Sequence, residues 1–381
     1  GRRYIDLYGN NCHHIGYRHP RLIEALRRQL DAVPFVARGF TSEPSIAFAA
    51  MLRQAADLPD AKVVSARSGA DAIEIALATA RAASGRYKTI SFYDSYHGRS
   101  AGALSIGGRY QDQLGLGPML PGNIRIPPYH RHQAAPPADD HAACARLSLQ
   151  VLRTVFEHER DIAAVVGETI RNNPFVPPHW YWPEVRELCD RHGSLLILDE
   201  IATGLGKTGS LFNFHRFGIR PDIVCVGKAL GGTLAPLSAV LVNGDLALDP
   251  GLNIGYYTHD KNPFCAQAGL ATLGIIADER LVENARTLGA HAACRLDELR
   301  VSTDRIQEVR VAGLMLAIEF AGTDAAAIAE RVYRTCIDAG VIPTFPRGAV
   351  LTLSAPLVIT RPELDSALDT VAAAVRLTLA S

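Results

Sequence analysis

Lysine is scarce in this chain, and several features that would suggest other kinds of protein are missing from it. Only five lysines occur among 381 residues, yet Lys plus Arg and Asp plus Glu are both 39, so the formal net charge is zero. This balance argues against nucleic acid or an anionic membrane surface as the main partner. No apolar run approaches the roughly 20 residues that span a bilayer, and no signal peptide is visible. We therefore expect a globular, cytoplasmic protein.

Paired cysteines are absent as well. The seven cysteines are odd in number and widely scattered, and no C-x-x-C pair occurs. Neither a disulfide framework nor a zinc site is indicated by such spacing. The histidine pair His13 and His14 has no third or fourth ligand at a suitable spacing. We expect reduced thiols and no bound metal.

Short apolar strands alternate with helical periodicity, a pattern typical of an α/β fold with a mostly parallel sheet. The stretch Pro127–Asp140 is predicted to be a loop. The predicted strands include nearly continuous apolar runs, as expected of strands buried on both faces: Val63–Ser65, Thr89–Phe92, Ile162–Gly167, Ser194–Leu198, Ile223–Val226 and Ser238–Val242. The predicted helices include Ala70–Ala83, Pro183–Arg191 and Asn262–Ala277.

The two ends of the chain differ from its centre, and the length is too great for one simple core. Residues 1–45 combine a strand, a polar loop and a helix, and residues 278–381 combine helices with a β segment, Val309–Phe320. We interpret residues 46–277 as a large domain and the two ends together as one smaller α+β domain. Because the sequence begins at Gly1 in a strand-like segment without Met, we expect further residues upstream.

Two carboxylates, Asp199 and Glu200, follow the buried strand Leu195–Leu198. Open parallel sheets bind their ligands at this carboxyl edge of the strands. Asp199 could simply cap the next turn. Alternatively, it could face the pyridine nitrogen of pyridoxal 5′-phosphate, because a carboxylate keeps that nitrogen protonated and the ring electron-withdrawing.

A single lysine, Lys228, ends the later strand Ile223–Val226 after one glycine. A Schiff base needs an amine that can lose its proton, and the fixed charge of arginine cannot replace it. Lys207 is the alternative, but it lies in a turn-rich Gly and Thr loop without a preceding strand. That setting favours a surface or phosphate-contacting role for Lys207.

Two further strand ends carry residues suited to a flat, phosphorylated ligand. Ser68–Ala70 open a helix, where free backbone N–H groups can bind a phosphate, although an ordinary N-cap explains the same residues. Tyr96, followed by His97, could stack on a flat cofactor or pack in an aromatic turn. No single motif is decisive, but their order and spacing together indicate a pyridoxal-phosphate site.

Together these motifs resemble the class III (ω-)aminotransferases, which are fold-type I pyridoxal 5′-phosphate enzymes. The resemblance extends from Tyr4 to about Ile359, and its most specific part is Leu198–Gly209 with Lys228 downstream. It implies a mostly parallel seven-stranded sheet, a smaller domain, and a homodimer in which Thr258 reaches the partner's phosphate. The implied cofactor-binding residues are Ser68, Gly69, Ala70, Tyr96, His97, Glu168, Asp199, Ile201, Lys228 and Thr258.

The resemblance also implies individual roles. Lys228 and Asp199 are the catalytic residues: Lys228 forms the Schiff base and Asp199 pairs with the pyridine nitrogen. Ile201 packs on one face of the ring, and Tyr96, or alternatively His97, stacks on the other. The helix N-terminus described above holds the phosphate.

Departures from the family pattern concern the substrate. Thr352 stands where amino-acid-using members carry an arginine for the substrate carboxylate, and threonine cannot make its bidentate contact. Asn173 stands where several members place a glutamate that gates this arginine. Both halves of that switch are therefore missing. Ala202 replaces a glutamine that in many members contacts the ring hydroxyl.

The candidate substrate-binding residues are Arg171, Arg347, Asn11 and His13. Arg171 is interpreted either as a relocated anion site or as a salt-bridge residue in a loop. Arg347 and Arg38 are weaker candidates for the anion. Asn11 and His13 belong to a loop that occupies the family's substrate-lining position, where they would hydrogen-bond a polar substrate.

Three functions stay open at this point. The leading hypothesis is transfer of an amino group from a primary, non-α amine to a keto acid. The second keeps every cofactor residue but eliminates ammonia or another group from a small amino-phosphonate or amino-phosphate. Asn10–His14, Arg171 and Tyr257–Pro263 resemble a subgroup that includes (R)-1-hydroxy-2-aminoethylphosphonate ammonia-lyases. The third is a catalytically silent relative, against which the intact Lys228 and Asp199 argue.

Overall fold

The computed structural model of the protein describes residues 1–130, 140–246 and 251–380. Residues 131–139 of the predicted loop Pro127–Asp140 lie outside them. The strands are β1 (Ile5–Asp6), β2 (Lys62–Ala66), β3 (Lys88–Phe92), β4 (Asn123–Ile126), β5 (Ile162–Glu168), β6 (Leu195–Asp199), β7 (Ile223–Val226), β8 (Ser238–Val242), β9 (Ile306–Ala312), β10 (Met315–Phe320), β11 (Val341–Ile342), β12 (Thr344–Arg347) and β13 (Val350–Ser354).

The helices alternate with these strands over most of the chain. They are α1 (Pro20–Ala32), α2 (Glu43–Ala55), α3 (Gly69–Ser84), α4 (Ala101–Ile106), α5 (Tyr110–Gln113), α6 (His141–His158), α7 (Tyr181–His192), α8 (Pro263–Asp278), α9 (Leu281–Val301), α10 (Ala325–Asp338) and α11 (Arg361–Ala380). Short 3-10 helices occur at Gly9–Asn11, Asn213–Phe217 and Lys228–Gly231. Among the described residues, no helix combines the length and the apolar character needed to cross a membrane.

A seven-stranded sheet in the order β2-β8-β7-β6-β5-β3-β4 forms the centre of the molecule. Its strands are parallel except for β8, which runs antiparallel to both of its neighbours. Every residue of β5 and β8 is buried, which explains their continuous apolar sequences. The predicted α/β fold with a mostly parallel seven-stranded sheet is confirmed, and the six predicted strands all belong to it. The edge strand β4 was not predicted.

A second, antiparallel sheet in the order β12-β13-β10-β9 is built from the C-terminal part of the chain. The predicted β segment Val309–Phe320 is β structure, and it consists of most of the hairpin that β9 and β10 form. The hairpin turns at Gly313, whose φ of 56° lies in the left-handed region. The parallel pair β1 and β11 joins the two ends of the chain. The domain division at residues 45 and 277 stays a proposal.

The helix α3 begins directly at the edge of the large sheet. The Ser68 side chain accepts a hydrogen bond from the Asp71 backbone N–H at 3.1 Å and caps the helix. Gly85 ends the helix with a left-handed φ of 66°. The capped N-terminus is thereby held close to the carboxyl ends of the neighbouring strands.

Lys207 does not lie at the surface, so the prediction of an exposed or phosphate-contacting lysine was wrong. Its side chain is fully buried, and its Nζ donates to the Ala355 carbonyl at 2.6 Å. Its own carbonyl accepts from the Leu314 N–H at 2.9 Å. Burial lowers the pKa of Lys207 to about 7. The sequence of the turn after β6 suggested an exposed segment. The residues that contact Lys207, among them Leu314 and Ala355, are distant in the chain, so the sequence did not reveal its burial.

Replacing Lys207 with Met tests this burial. Because the pKa of the folded-state amine, about 7, lies below that of an unfolded lysine, roughly 10.4, the unfolded chain binds more protons between these values. The free energy of unfolding of the wild type should therefore rise with pH across that window relative to Lys207→Met, by up to about 1.4 kcal/mol per pH unit. Unfolding measured at pH 7, 8 and 9 checks this. Parallel profiles for the two proteins would show that Lys207 does not titrate abnormally.

Candidate active site

A cavity of about 350 Å³ opens at the carboxyl ends of β5, β6 and β7. Glu168 ends β5, Asp199 ends β6, and Lys228 follows β7. The structure brings most of the predicted residues to this one cavity: Ser68, Gly69, Ala70, Tyr96, His97, Glu168, Arg171, Asp199, Ile201, Lys228 and Arg347. Asn11, His13 and Thr258 are not among the lining residues.

The Asp199 carboxylate is buried and held from two directions. Its Oδ2 lies 2.8 Å from His97 Nδ1, and its Oδ1 accepts from the Ile201 N–H at 3.0 Å. His97 is therefore engaged with Asp199 and helps to fix the position of this carboxylate. Tyr96 and His97 both line the cavity, so both stay candidates for the ring face.

Lys228 is held in an unusual backbone conformation, with a φ of 47° in the left-handed region. Such positions are strained for a side chain with a Cβ and cluster at functional sites. Burial lowers the pKa of Lys228, Asp199 opposes this, and the charges of Arg347 and Arg109 lower the pKa further. The amine is thus easier to deprotonate than an exposed lysine, as a nucleophile requires.

The N-terminus of α3 forms another wall of the cavity. Because Ser68 binds the Asp71 N–H and the Ser68 carbonyl accepts from Ala72, the N–H groups of Gly69 and Ala70 have no partner within the described chain. Gly98 passes close to them with a φ of 138°, and a Cβ there would lie 2.8 Å from the Ala70 Cβ. Open N–H groups at a helix N-terminus bind phosphates well.

These features together fit pyridoxal 5′-phosphate. The cavity offers an amine with a lowered pKa at Lys228, a fixed carboxylate at Asp199, and a phosphate-binding helix end at Gly69 and Ala70. The donor set matches the three parts of the cofactor that a protein must hold. By contrast, no group of three His, Cys, Asp or Glu residues in the described segments is arranged to bind a metal.

Arg171 is engaged by carboxylates. It forms an ion pair with Glu168, and its Nη2 contacts both the Asp94 carbonyl and, at 3.1 Å, the Asp94 carboxylate. Of the two interpretations of Arg171, the geometry supports the salt bridge. Its charge is therefore largely neutralised within the protein before any substrate binds.

Arg347 is in a different situation. It ends β12 and lines the cavity, and no carboxylate forms an ion pair with it in the described part of the chain. Although the Arg347 side chain is exposed, desolvation by the surrounding protein and then the positive charges of Arg109 and Arg171 lower the pKa of Arg347, while Asp94 and Asp112 oppose this. Arg109 and Arg171 are each paired with a carboxylate, which partly compensates their charges, so Arg347 is the candidate among these arginines to receive a bound anion.

The predicted substrate loop does not reach the cavity directly. Asn11 Nδ2 donates to Asn172 Oδ1 at 2.6 Å, and Asn172 in turn lines the cavity. His13 is buried against the Asp6 carbonyl at 3.2 Å, and burial lowers the pKa of His13 to about 4. Asn11 thus acts through Asn172, and His13 lacks contact with the cavity. Thr258 is exposed outside it.

Thr344 and Phe345 line the cavity but were not found by sequence reasoning, and Arg109, which borders the lining residue Tyr96, was missed as well. The half-buried Arg109 lies 4.3 Å from the Tyr96 ring centroid and pairs with Asp112 at 2.6 Å. It follows two glycines in a loop that carries no recognisable motif. Glu200, next to Asp199, instead accepts the backbone N–H groups of Asn213 and Phe214 at 2.7 and 2.8 Å.

Comparison with known proteins agrees with this geometry. A profile of the family described as aminotransferase class III matches residues 1–375. The chain belongs to the class III aminotransferases. Members of this family depend on pyridoxal 5′-phosphate, so the predicted cofactor is confirmed, as is the prediction of an enzyme.

Relatives of this class III enzyme have different reactions in their names. It is 34% identical over 388 residues to the (R)-1-hydroxy-2-aminoethylphosphonate ammonia-lyase of Vibrio splendidus, covering 97% of this chain and 81% of that one. It is also 34% identical over 370 residues to the acetylornithine aminotransferase of Mycobacterium bovis, covering 96% and 85%. A PLP-bound amine transaminase from an uncultivated Pseudomonas species superposes with a TM-score of 0.91 at 29% identity, covering 99% and 91%.

Two lysine substitutions distinguish the cofactor-bearing amine from the other buried one. Lys228→Ala should abolish the visible absorbance band of the covalently held cofactor. Lys207→Met should keep it, because Lys207 is buried away from the cavity. Absorbance spectra of the purified proteins with added cofactor give the answer. A band that persists in Lys228→Ala would mean that another amine carries the cofactor.

Proposed function

We propose that this class III enzyme is an ammonia-lyase for a small primary amine with an anionic group and an adjacent hydroxyl, such as 1-hydroxy-2-aminoethylphosphonate. The observation that carries the proposal is Arg347, the guanidinium that lines the cavity without an ion-pair partner in the described residues. It offers an anion a site in the same cavity as the Lys228 amine.

The residues of the cavity divide the chemistry between them. Bound pyridoxal 5′-phosphate supplies an electron sink for the carbon that bears the amine. Lys228 would hold it and, once displaced by the substrate amine, would take a proton from that carbon. Asp199, oriented by His97, would face the pyridine nitrogen, and the N–H groups of Gly69 and Ala70 would bind the phosphate.

The anionic group of the substrate would pair with Arg347. Arg171 is less available, because Glu168 and Asp94 already neutralise it. Arg347 is exposed and lines the cavity, so a ligand can reach its guanidinium. The guanidinium can offer two parallel N–H donors to phosphonate or carboxylate oxygens, and its charge strengthens these hydrogen bonds.

Elimination is favoured over transfer by two side chains of the cavity. Thr352 and Asn173 both line it, at the positions where other members carry an arginine and its gating glutamate. A transferase must admit two different substrates in turn, and that switch is one way to do so. A lyase needs only one substrate. The hydroxyl of that substrate would leave as water. The unsaturated amine that results would take up water to give an aldehyde and ammonia.

Amino transfer from a primary amine to a keto acid is the second candidate. The specific observation in its favour is the close superposition with an amine transaminase over nearly the whole chain. Every residue assigned to the cofactor would serve that reaction equally well. The two reactions differ only in what leaves the substrate and in whether an acceptor is needed.

We also propose that the enzyme is a homodimer with shared active sites. Thr258 lies outside the cavity of its own chain and is exposed. Its segment is held by Arg38, which forms an ion pair with Asp260 and lies 3.7 Å from the Tyr256 ring centroid. Arg38 is thereby engaged away from the cavity, and in the proposed dimer Thr258 would reach the phosphate of a partner subunit.

Turnover without an acceptor separates the two candidate reactions. Holoenzyme incubated with 1-hydroxy-2-aminoethylphosphonate alone should release ammonia over many turnovers and keep its cofactor absorbance. A transferase would stall after one turnover with the cofactor in its aminated form and resume when a keto acid is added. Ammonia release and absorbance followed together report both outcomes. A stall that only a keto acid relieves would establish transfer.

Substitution of Arg347 tests the anion site. Arg347→Met should raise KM for the anionic amine about 10- to 100-fold, since a charge-assisted hydrogen bond contributes about 1.5–3 kcal/mol, while kcat changes less. Arg347→Lys keeps the charge but loses the planar guanidinium, so its KM should lie between those of the wild type and Arg347→Met. Arg300→Met, on the outer surface of α9, is the matched control. An unchanged KM in Arg347→Met would remove Arg347 from the site.

A further inference from the structure

One hydrogen-bond acceptor in the cavity has no donor. Asn173 lines the same cavity as Lys228 and Arg347, and its Oδ1 is buried without a hydrogen-bond partner among the residues that the structure describes. A buried amide oxygen loses its hydrogen bonds to water and normally regains them within the protein. An unsatisfied one at a binding site therefore points to a donor on the ligand.

The neighbouring asparagine provides a contrast within the same loop. Asn172 also lines the cavity, but its Oδ1 accepts from Asn11 Nδ2 at 2.6 Å. Asn11 in turn accepts a hydrogen bond from the Ser354 hydroxyl. The protein therefore satisfies Asn172 with its own side chains and leaves Asn173 open.

The backbone of Asn173 is held firmly. Its carbonyl accepts from Arg310 Nε at 3.2 Å, and the Arg310 guanidinium lies 3.9 Å from the Phe175 ring centroid. Arg310 is itself paired with Glu319 at 2.6 Å and with Glu308 at 2.5 Å. The open acceptor is thus presented on a loop braced by the small sheet, which is the preorganisation that a specificity contact needs.

We propose that Asn173 Oδ1 accepts a hydrogen bond from the substrate's hydroxyl and so determines the enzyme's preference for a hydroxylated amine. The inference rests on the proposed function, in which Lys228 receives the amine and Arg347 the anionic group. Of the groups on such a substrate, the hydroxyl is the donor that remains. As an amide, Asn173 orients this hydroxyl but supplies no proton to it.

A pair of compounds that differ only in this hydroxyl tests the inference. Holoenzyme is mixed with 2-aminoethylphosphonate or with its (R)-1-hydroxy derivative, and dissociation constants are taken from the early change in cofactor absorbance by stopped flow. The wild type should bind the hydroxylated compound at least about tenfold more tightly, because a site built around a hydroxyl rejects an analogue that lacks it. Asn173→Ala should lose this preference and bind 2-aminoethylphosphonate as the wild type does.

Two further variants keep the test informative. Asn173→Asp retains an acceptor oxygen and should retain most of the preference, even if Asn173→Ala folds poorly. Asn284→Ala, outside the cavity, removes hydrogen bonds to the Leu357 and Ile359 carbonyls and should lower the thermal midpoint while keeping the preference. A preference that survives in Asn173→Ala, or equal binding of both compounds to the wild type, would overturn the role of Asn173. Neither outcome would contradict the proposed function. If neither compound changes the absorbance, the proposed function is wrong and the role of Asn173 falls with it.

Discussion

Glu168 and Asp199 occupy partnered positions on the adjacent parallel strands β5 and β6, so two carboxylates face one cavity. Like charges at short range in a partly buried site repel strongly, and each carboxylate therefore needs a nearby hydrogen-bond donor or cation. His97 contacts Asp199, and Arg171 pairs with Glu168. This pairing of charges determines which groups of the cavity stay free for a ligand.

The arginines near the cavity differ in whether a carboxylate of the protein pairs with them. Arg171 is paired with carboxylates of the protein, whereas Arg347 forms no ion pair within the described residues, although the charges of Arg109, Asp94 and Asp112 all act on it. Lys228 is influenced from both sides of the cavity. Asp199 raises the pKa of Lys228, and the positive charges of Arg347 and Arg109 lower it. In the proposed reaction, this asymmetry orients a small substrate with its amine toward Lys228 and its anion toward Arg347.

Much of the fold and of the cofactor site could be predicted from the sequence, because both depend on local patterns. Continuous apolar runs identify strands buried on both faces, and residues that directly follow such strands meet at one edge of a parallel sheet. Asp199, Lys228 and the start of α3 at Gly69 are all of this kind. The substrate side was harder, because Arg109 comes from a loop without a motif and His13, although in a suggestive loop, lies away from the cavity.

The sequence by itself determined the cofactor chemistry, since one lysine and one aspartate at strand ends carry it and their spacing is local. The tertiary structure alone decided which charges neutralise one another. Arg171 is paired by Glu168 three residues away and by Asp94 far earlier in the chain, and Lys207 is buried by contacts with Leu314 and Ala355. Burial and ion pairing depend on distances between residues that are remote in sequence, and these distances exist only after the sheets have packed.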